Sequence, residues 1–244
     1  MERIGLIGAM PMEVAPVLAR LERAREERIG PIQCWLGALE GAEVVVECCG
    51  IGKVNAAMGA QAMLQAYRIN RVVHLGVGGA LSGGLRVGDV VVAEGCVQYD
   101  VDTTALGDPP GFVSTVEKIV FDCDAQMRKE ILAAAEAMPD RSFAIRSGVV
   151  ATGDRFLTRA EEKRKIVQAF HALICDQESC AIAQVCGVNG VPMAVIRAVS
   201  DAADGAHAEE FARYAQLAVQ NGFSVLLRYL QRPSEGSAQR DKAM

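Results

Sequence analysis

The chain predicts an α/β fold in a single domain. Short apolar runs alternate along it with stretches whose apolar residues recur at helical spacing. No internal repeat, low-complexity block or linker interrupts that alternation. Its 244 residues suffice for one domain with a substantial core, and 51% hydrophobic against 23% charged residues is a globular composition. The domain is expected over residues 1–231. Residues 232–244, polar beyond Pro233, are expected to form a disordered tail.

The elements follow in order. Arg3–Ala9 is an apolar strand that turns at Gly8 into a helix with Val14, Val17, Leu18 and Leu21 on one face. The charges from Arg20 to Arg28 read as the solvated side of that helix. Gln33–Leu39 and Ala42–Cys49 form a hairpin about Glu40–Gly41, and Gly50–Lys53 opens a helix ending near Tyr67. A phosphate loop ending at Lys53 needs glycine at 47, where Glu47 stands. Arg71–Gly76 is a strand leading into GVGGALSGGL. A dinucleotide fingerprint there fails at Leu81, so these glycines serve close backbone approach to a ligand or another segment.

Gly88–Val97 is the next strand, and Asp100–Phe112 a polar loop long enough for a lid or a subunit contact. Asp124–Met138 reads as helix and Arg146–Thr152 as strand. Thr158 is placed to cap a helix with Glu161 and Glu162 in its first turn. Leu173–Cys175 is a short stub, Asp176 starts the helix DQESCAIAQVCGV, and the last helix runs from about Phe211 to Leu230.

The functional signal centres on Met193–Asp204. A buried strand over Met193–Ile196 ends in Arg197, Ser200, Asp201 and Asp204, and ligands of open α/β sheets sit at such strand ends. A plain turn, with Ser200 and Asp201 bonding nearby backbone, would give the same pattern. Glu13 and Glu178 occupy equivalent places, each after a strand and in a first helical turn. Both also fit simple complementation of a helix dipole. If the strand ends converge, three carboxylates and Arg197 share one pocket. Like charges in a poorly solvated site cannot all stay ionised, so one carboxyl becomes a general acid beside a general base. That pairing suits cleavage of a glycosidic bond.

Bulk chemistry narrows the partners. A net charge of −5 argues against nucleic acid and anionic membrane. No run approaches the ~18 apolar residues of a membrane helix. The nine uncharged residues before Glu13 are too few for a signal peptide. Eight cysteines without a C-x-x-C pair fit a reduced, cytoplasmic protein. Scattered His74, His171 and His207 offer no metal-ligand spacing, and no cofactor is expected.

Six segments in order, IGLIGAMPMEV, GIGKVNAA, LRVGDVVV, TGDRF, DQESCAIAQVC and RAVSDAAD, resemble the nucleoside phosphorylase/hydrolase superfamily from Ile4 to about Leu230. The resemblance implies a central mixed, twisted β-sheet flanked by helices. It implies hydrolysis of the N-ribosidic bond of 5′-methylthioadenosine, S-adenosylhomocysteine or a closely related adenosine, releasing adenine. Asp201 would be the acid on the purine, Glu13 the base for water with Arg197 beside it, and Glu178 the holder of the ribose hydroxyls. Phe156 and Leu157 match the segment that holds adenine.

Met10, Val77, Gln177, Ser200 and Phe211 complete the substrate-binding set. Val77 stands where the family has a small serine, and Gln177 where it has methionine, so both bear on specificity. Leu106 and Pro110 lie in the loop implied to reach a neighbouring subunit, hence a homodimer. Two rival readings stand beside this one: another nucleoside, futalosine-type or inosine, and a nucleoside-binding protein with little turnover. Phosphorolysis is disfavoured because the first turn, Gly8 to Glu13, offers no cation for phosphate.

Overall fold

The computed structural model describes all residues except 1, 140, 202–206 and 232–244, together with the backbone but not the side chains of 207–212. The expected polar tail, Asp204 and the Phe211 side chain therefore lie outside the described residues. Ten strands form one mixed sheet: β1 Arg3–Gly8, β2 Glu22–Ile29, β3 Ile32–Leu39, β4 Ala42–Cys48, β5 Arg71–Ala80, β6 Val90–Gln98, β7 Val120–Asp122, β8 Ile145–Thr152, β9 Ala172–Asp176 and β10 Met193–Asp201. Six helices cover it: α1 Pro11–Leu18, α2 Lys53–Ala66, α3 Ala125–Glu136, α4 Ala160–Phe170, α5 Ser179–Asn189 and α6 His207–Leu230.

The strand β5 organises the sheet. Over Arg71–His74 it pairs in parallel with β1, and over Val72–Gly79 with β10. At Gly79 and Ala80 it leaves β1 and pairs antiparallel with β9. Because β10 also pairs with β6, β6 with β8 and β8 with β9, five strands close on themselves. The strands β1, β4, β3 and β2 continue from β5 as an open arm.

One apolar layer, including Leu6, Val17, Leu75, Ile131, Ile196 and Leu226, lies beneath α1, α3 and α6. Another, including Ile7, Ala56, Met63, Val195 and Ile182, lies beneath α2 and α5. The fully buried strands read as continuous apolar runs because helices cover both faces.

Four local expectations are corrected. The first helix ends at Leu18, and Glu22–Ile29 is the outermost strand of the arm. The apolar helical spacing stops at Leu21, and a run of charge is as suited to an exposed sheet edge, where it discourages pairing with other chains. The glycine segment is strand as far as Ala80, not loop, and β10 continues past Ile196 to Asp201. The cap of α4 is Arg159, not Thr158, although Glu161 and Glu162 do occupy its first turn. Asp176 ends a strand rather than starting a helix, and Glu178 takes the N-cap position of α5. The Glu40–Gly41 hairpin forms as expected, with both residues at positive φ, the geometry of a type I′ turn.

Candidate active site

Three acids from three strand ends border one cavity of about 220 Å³. Glu13, Glu178 and Asp201 are 1%, 5% and 4% exposed, respectively, and all line it. Met10, Val77, Phe156, Leu157, Gln177 and Ser200 share that wall, so the expected set converges on one place. Ile51, Arg155 and Cys175 join them; Ile51 and Arg155 fall within GIGKVNAA and TGDRF but were not singled out there. Leu106 is 84% exposed and stands outside the cavity, as does Pro110.

Each acid is positioned by backbone. Glu13 lies one turn into α1 and folds back, so that Ala9 N–H and Met10 N–H donate to Oε2 at 2.8 Å each. Val77 N–H donates to Oε1 at 2.8 Å, tying β5 to the same carboxylate. Glu178 Oε1 accepts from Gly52 N–H at 3.0 Å, and Asp154 Oδ1 from Lys53 N–H at 2.8 Å. The start of α2 thus receives two carboxylates of its own chain. Asp201 sits beyond a register shift in β10, and Ser200 Oγ lies 3.1 Å from its Oδ2 and 3.2 Å from Gly78 O.

Arg197 differs from its expected place. It is fully buried and lies behind the acids rather than on the cavity wall. Its guanidinium pairs with Asp176 at 2.7 Å, Glu178 at 3.1 Å and Glu13 at 3.7 Å. Nη1 has no hydrogen-bond partner among the described residues. Gly76, opposite Arg197 across the β5–β10 pair, makes room: a Cβ there would lie 2.0 Å from Nη1 and 2.4 Å from Glu13 Oε1. Removing one member of such a buried charge set costs about 3–5 kcal/mol, because the remaining charge is left uncompensated.

Asp176 is the acid that the sequence reading missed. It accepts from Thr152 Oγ1 at 2.6 Å and Arg197 Nε at 2.7 Å, and Ser179 Oγ donates to it as well. Its place at the end of an apolar stub, two residues before Glu178, was the available signal. Three carboxylates, Glu13, Asp176 and Glu178, therefore surround the Arg197 guanidinium, and Asp176 joins Glu13, Glu178 and Asp201 on the cavity wall. The Glu178 carboxyl is pushed up, to about 7, chiefly by burial and against the pull of Arg197. Among the described residues no three His, Cys, Asp or Glu side chains are grouped so as to hold a metal ion.

Comparison with known proteins places this geometry in context. A curated 5′-methylthioadenosine/S-adenosylhomocysteine nucleosidase of Marinomonas sp. (strain MWYL1) is 32% identical over 94% of this chain and 99% of its own length. The crystal structure of the nucleosidase of that name from Neisseria meningitidis, in complex with methylthio-immucillin-A, matches with a TM-score of 0.90 at 30% identity. That match covers 95% of this chain and 99% of that one. The native structure of futalosine hydrolase of Helicobacter pylori matches with a TM-score of 0.88 at 28% identity, over 94% and 97% of the two chains. The family model described as the phosphorylase superfamily matches residues 3–231. From its matched length and its mixed sheet alike, the chain belongs to the phosphorylase superfamily.

Proposed function

We propose that the chain hydrolyses the N-ribosidic bond of 5′-methylthioadenosine and S-adenosylhomocysteine, releasing adenine. The observation that carries this reading is the meeting of Glu13, Glu178 and Asp201 at one cavity, with Arg197 behind Glu13 and Glu178. The names of the Marinomonas and Neisseria proteins support it.

Asp201 donates its proton to the imidazole nitrogen of the purine as the C1′–N bond breaks. Ser200 suits the protonated acid: its hydroxyl donates to Gly78 O while accepting from Asp201, and turns toward the carboxylate once the proton has left. Glu13 takes a proton from water as its oxygen bonds C1′, and Glu178 accepts from the ribose hydroxyls. Met10, Val77, Phe156, Leu157 and Gln177 contact the rest of the nucleoside.

Water is favoured over phosphate as the nucleophile. The buried cation, Arg197, is already engaged by three carboxylates, and Arg155 on the wall pairs with Glu162 at 2.7 Å. A phosphate dianion would meet Glu13 without a free cation beside it. No cofactor enters this chemistry. The futalosine hydrolase likeness supports a second reading, in which the same acids act on a futalosine-type nucleoside.

A homodimer completes the proposal. Ile51, Val54, Met58 and Val188 expose apolar side chains around α2 and α5, and Leu106 does so from the 100–112 loop with Pro110 nearby. All eight cysteines are free, which supports a reducing, cytoplasmic setting. Among the described residues no helix is long and apolar enough to cross a membrane. The test is base release from 5′-methylthioadenosine, S-adenosylhomocysteine, futalosine and inosine, each with and without phosphate. Adenine released without phosphate is expected, and release only with phosphate would overturn the reading.

A further inference from the structure

His74 and Ser179 have no part in the scheme above, yet both are buried against its central cation. His74 lies inside β5, fully enclosed, opposite Val195 of β10. Its Nε2 is 3.0 Å and its Nδ1 3.3 Å from Arg197 Nη2, and Nδ1 is also 3.1 Å from Ser179 Oγ. Ser179, the first residue of α5, is also fully buried. Its hydroxyl donates to Asp176 and lies 3.1 Å from Arg197 Nε.

Donor accounting fixes the direction of these bonds. A guanidinium only donates, so the nearer imidazole nitrogen, Nε2, offers it a lone pair, while Ser179, whose proton goes to Asp176, can only accept from Nδ1. The proton of a neutral ring is then on Nδ1 and goes to Ser179 Oγ. The serine hydroxyl, with one proton and two lone pairs, gives its proton to Asp176 and accepts from His74 and Arg197. Burial first, and Arg197 next, hold the imidazole well below its ordinary range, so the ring is neutral. Every polar atom of the His74 and Ser179 side chains is then used.

We propose that His74 and Ser179 are positioning residues. They form a one-way relay, from Arg197 through His74 and Ser179 to Asp176, that locks the guanidinium against rotation and so holds Glu178 and Glu13 at their places on the cavity. Asp176 Oδ2 holds the Nε and Nη2 corner of Arg197 from β9, and Glu178 and Glu13 reach the guanidinium from the cavity side at 3.1 and 3.7 Å. The relay ties Nη2, the nitrogen that also carries Glu178, to a second anchor on another strand. Its kinetic consequences rest on the nucleosidase reading, whereas its hydrogen-bond pattern does not.

Two measurements test it. The first is nitrogen NMR of the His74 ring in the wild-type protein. A neutral ring protonated on Nδ1 throughout pH 5–8 supports the relay; a proton on Nε2, or a cationic ring, overturns it. The second uses variants chosen by ring geometry. In His74→Gln the amide oxygen reaches the place of Nε2 and keeps the acceptor for Arg197, which His74→Leu removes.

A lost hydrogen bond to a charged group predicts that His74→Leu lowers kcat at least about tenfold, with KM changing less, and that His74→Gln recovers most of it. Ser179→Ala acts on the same unit, so the Ser179→Ala/His74→Leu double variant falls no further than the worse single one. Equal kcat for the Leu and Gln variants, or additive losses in the double variant, would overturn the proposal. A wild-type protein that releases no adenine strikes the nucleosidase reading alone, and the NMR result then decides the relay by itself.

Discussion

Glu47 gives the sharpest energetic prediction. It lies on β4 between Ile7 of β1 and Cys34 of β3, fully buried under α2. Neither carboxyl oxygen has a hydrogen-bond partner among the described residues. Gly59 of α2 sits directly above: a Cβ there would be 1.8 Å from Oε1, so the helix approaches only because that position is glycine. Burial without a partner pushes the carboxyl from 4.5 up to about 7. Between those two values the folded chain retains a proton that the unfolded chain has released. Stability is therefore full below about 4.5, falls as pH rises through the window, and levels off above about 7. At about 1.4 kcal/mol for each tenfold change in proton affinity, the loss approaches roughly 3 kcal/mol.

Replacing Glu47 by glutamine keeps the shape and removes the titration. A domain of this size shifts by about 2–4 °C per kcal/mol, so the advantage of Glu47→Gln should grow by roughly 6–12 °C between pH 5 and pH 8.5. Thermal melts of both proteins at the two pH values give the answer. Melting temperatures that run parallel with pH, within about 1 °C, would show that Glu47 ionises without cost and refute the argument.

Three further outcomes are expected. Asp201→Asn and Glu13→Gln should each lower kcat for adenine release about 10²–10⁴-fold in protein that circular dichroism shows folded; losses under about threefold would contradict their roles. Gly76→Ala places a methyl group between Arg197 Nη1 and Glu13 Oε1, and should cut kcat while the protein still folds, as read by circular dichroism alongside turnover. Val54→Glu with Met58→Glu puts charge on the exposed face of α2, and sedimentation should show a dimer in the parent and a monomer in the variant.

The three acids were legible because each stands beside an apolar run that ends abruptly. The hairpin at Glu40–Gly41 was legible because a glycine turn between two short apolar runs is a local signal. The edge strand Glu22–Ile29 was not, since charged residues accept either helix or exposed edge and only its pairing with β3 decides. Arg197 was seen, but its position behind the acids depends on three partners remote in sequence.

By itself, then, the sequence determined the α/β alternation, the family, and the identity of the acids at the strand ends. These follow from side-chain type and local spacing. The tertiary structure alone decided that β5 leaves β1 for β9 and closes five strands. It alone placed Asp176, His74 and Ser179 around one guanidinium, and left Glu47 without a partner. Those outcomes depend on which remote side chains share a buried space. There a polar group is stabilised or penalised by neighbours that its own stretch of chain does not name.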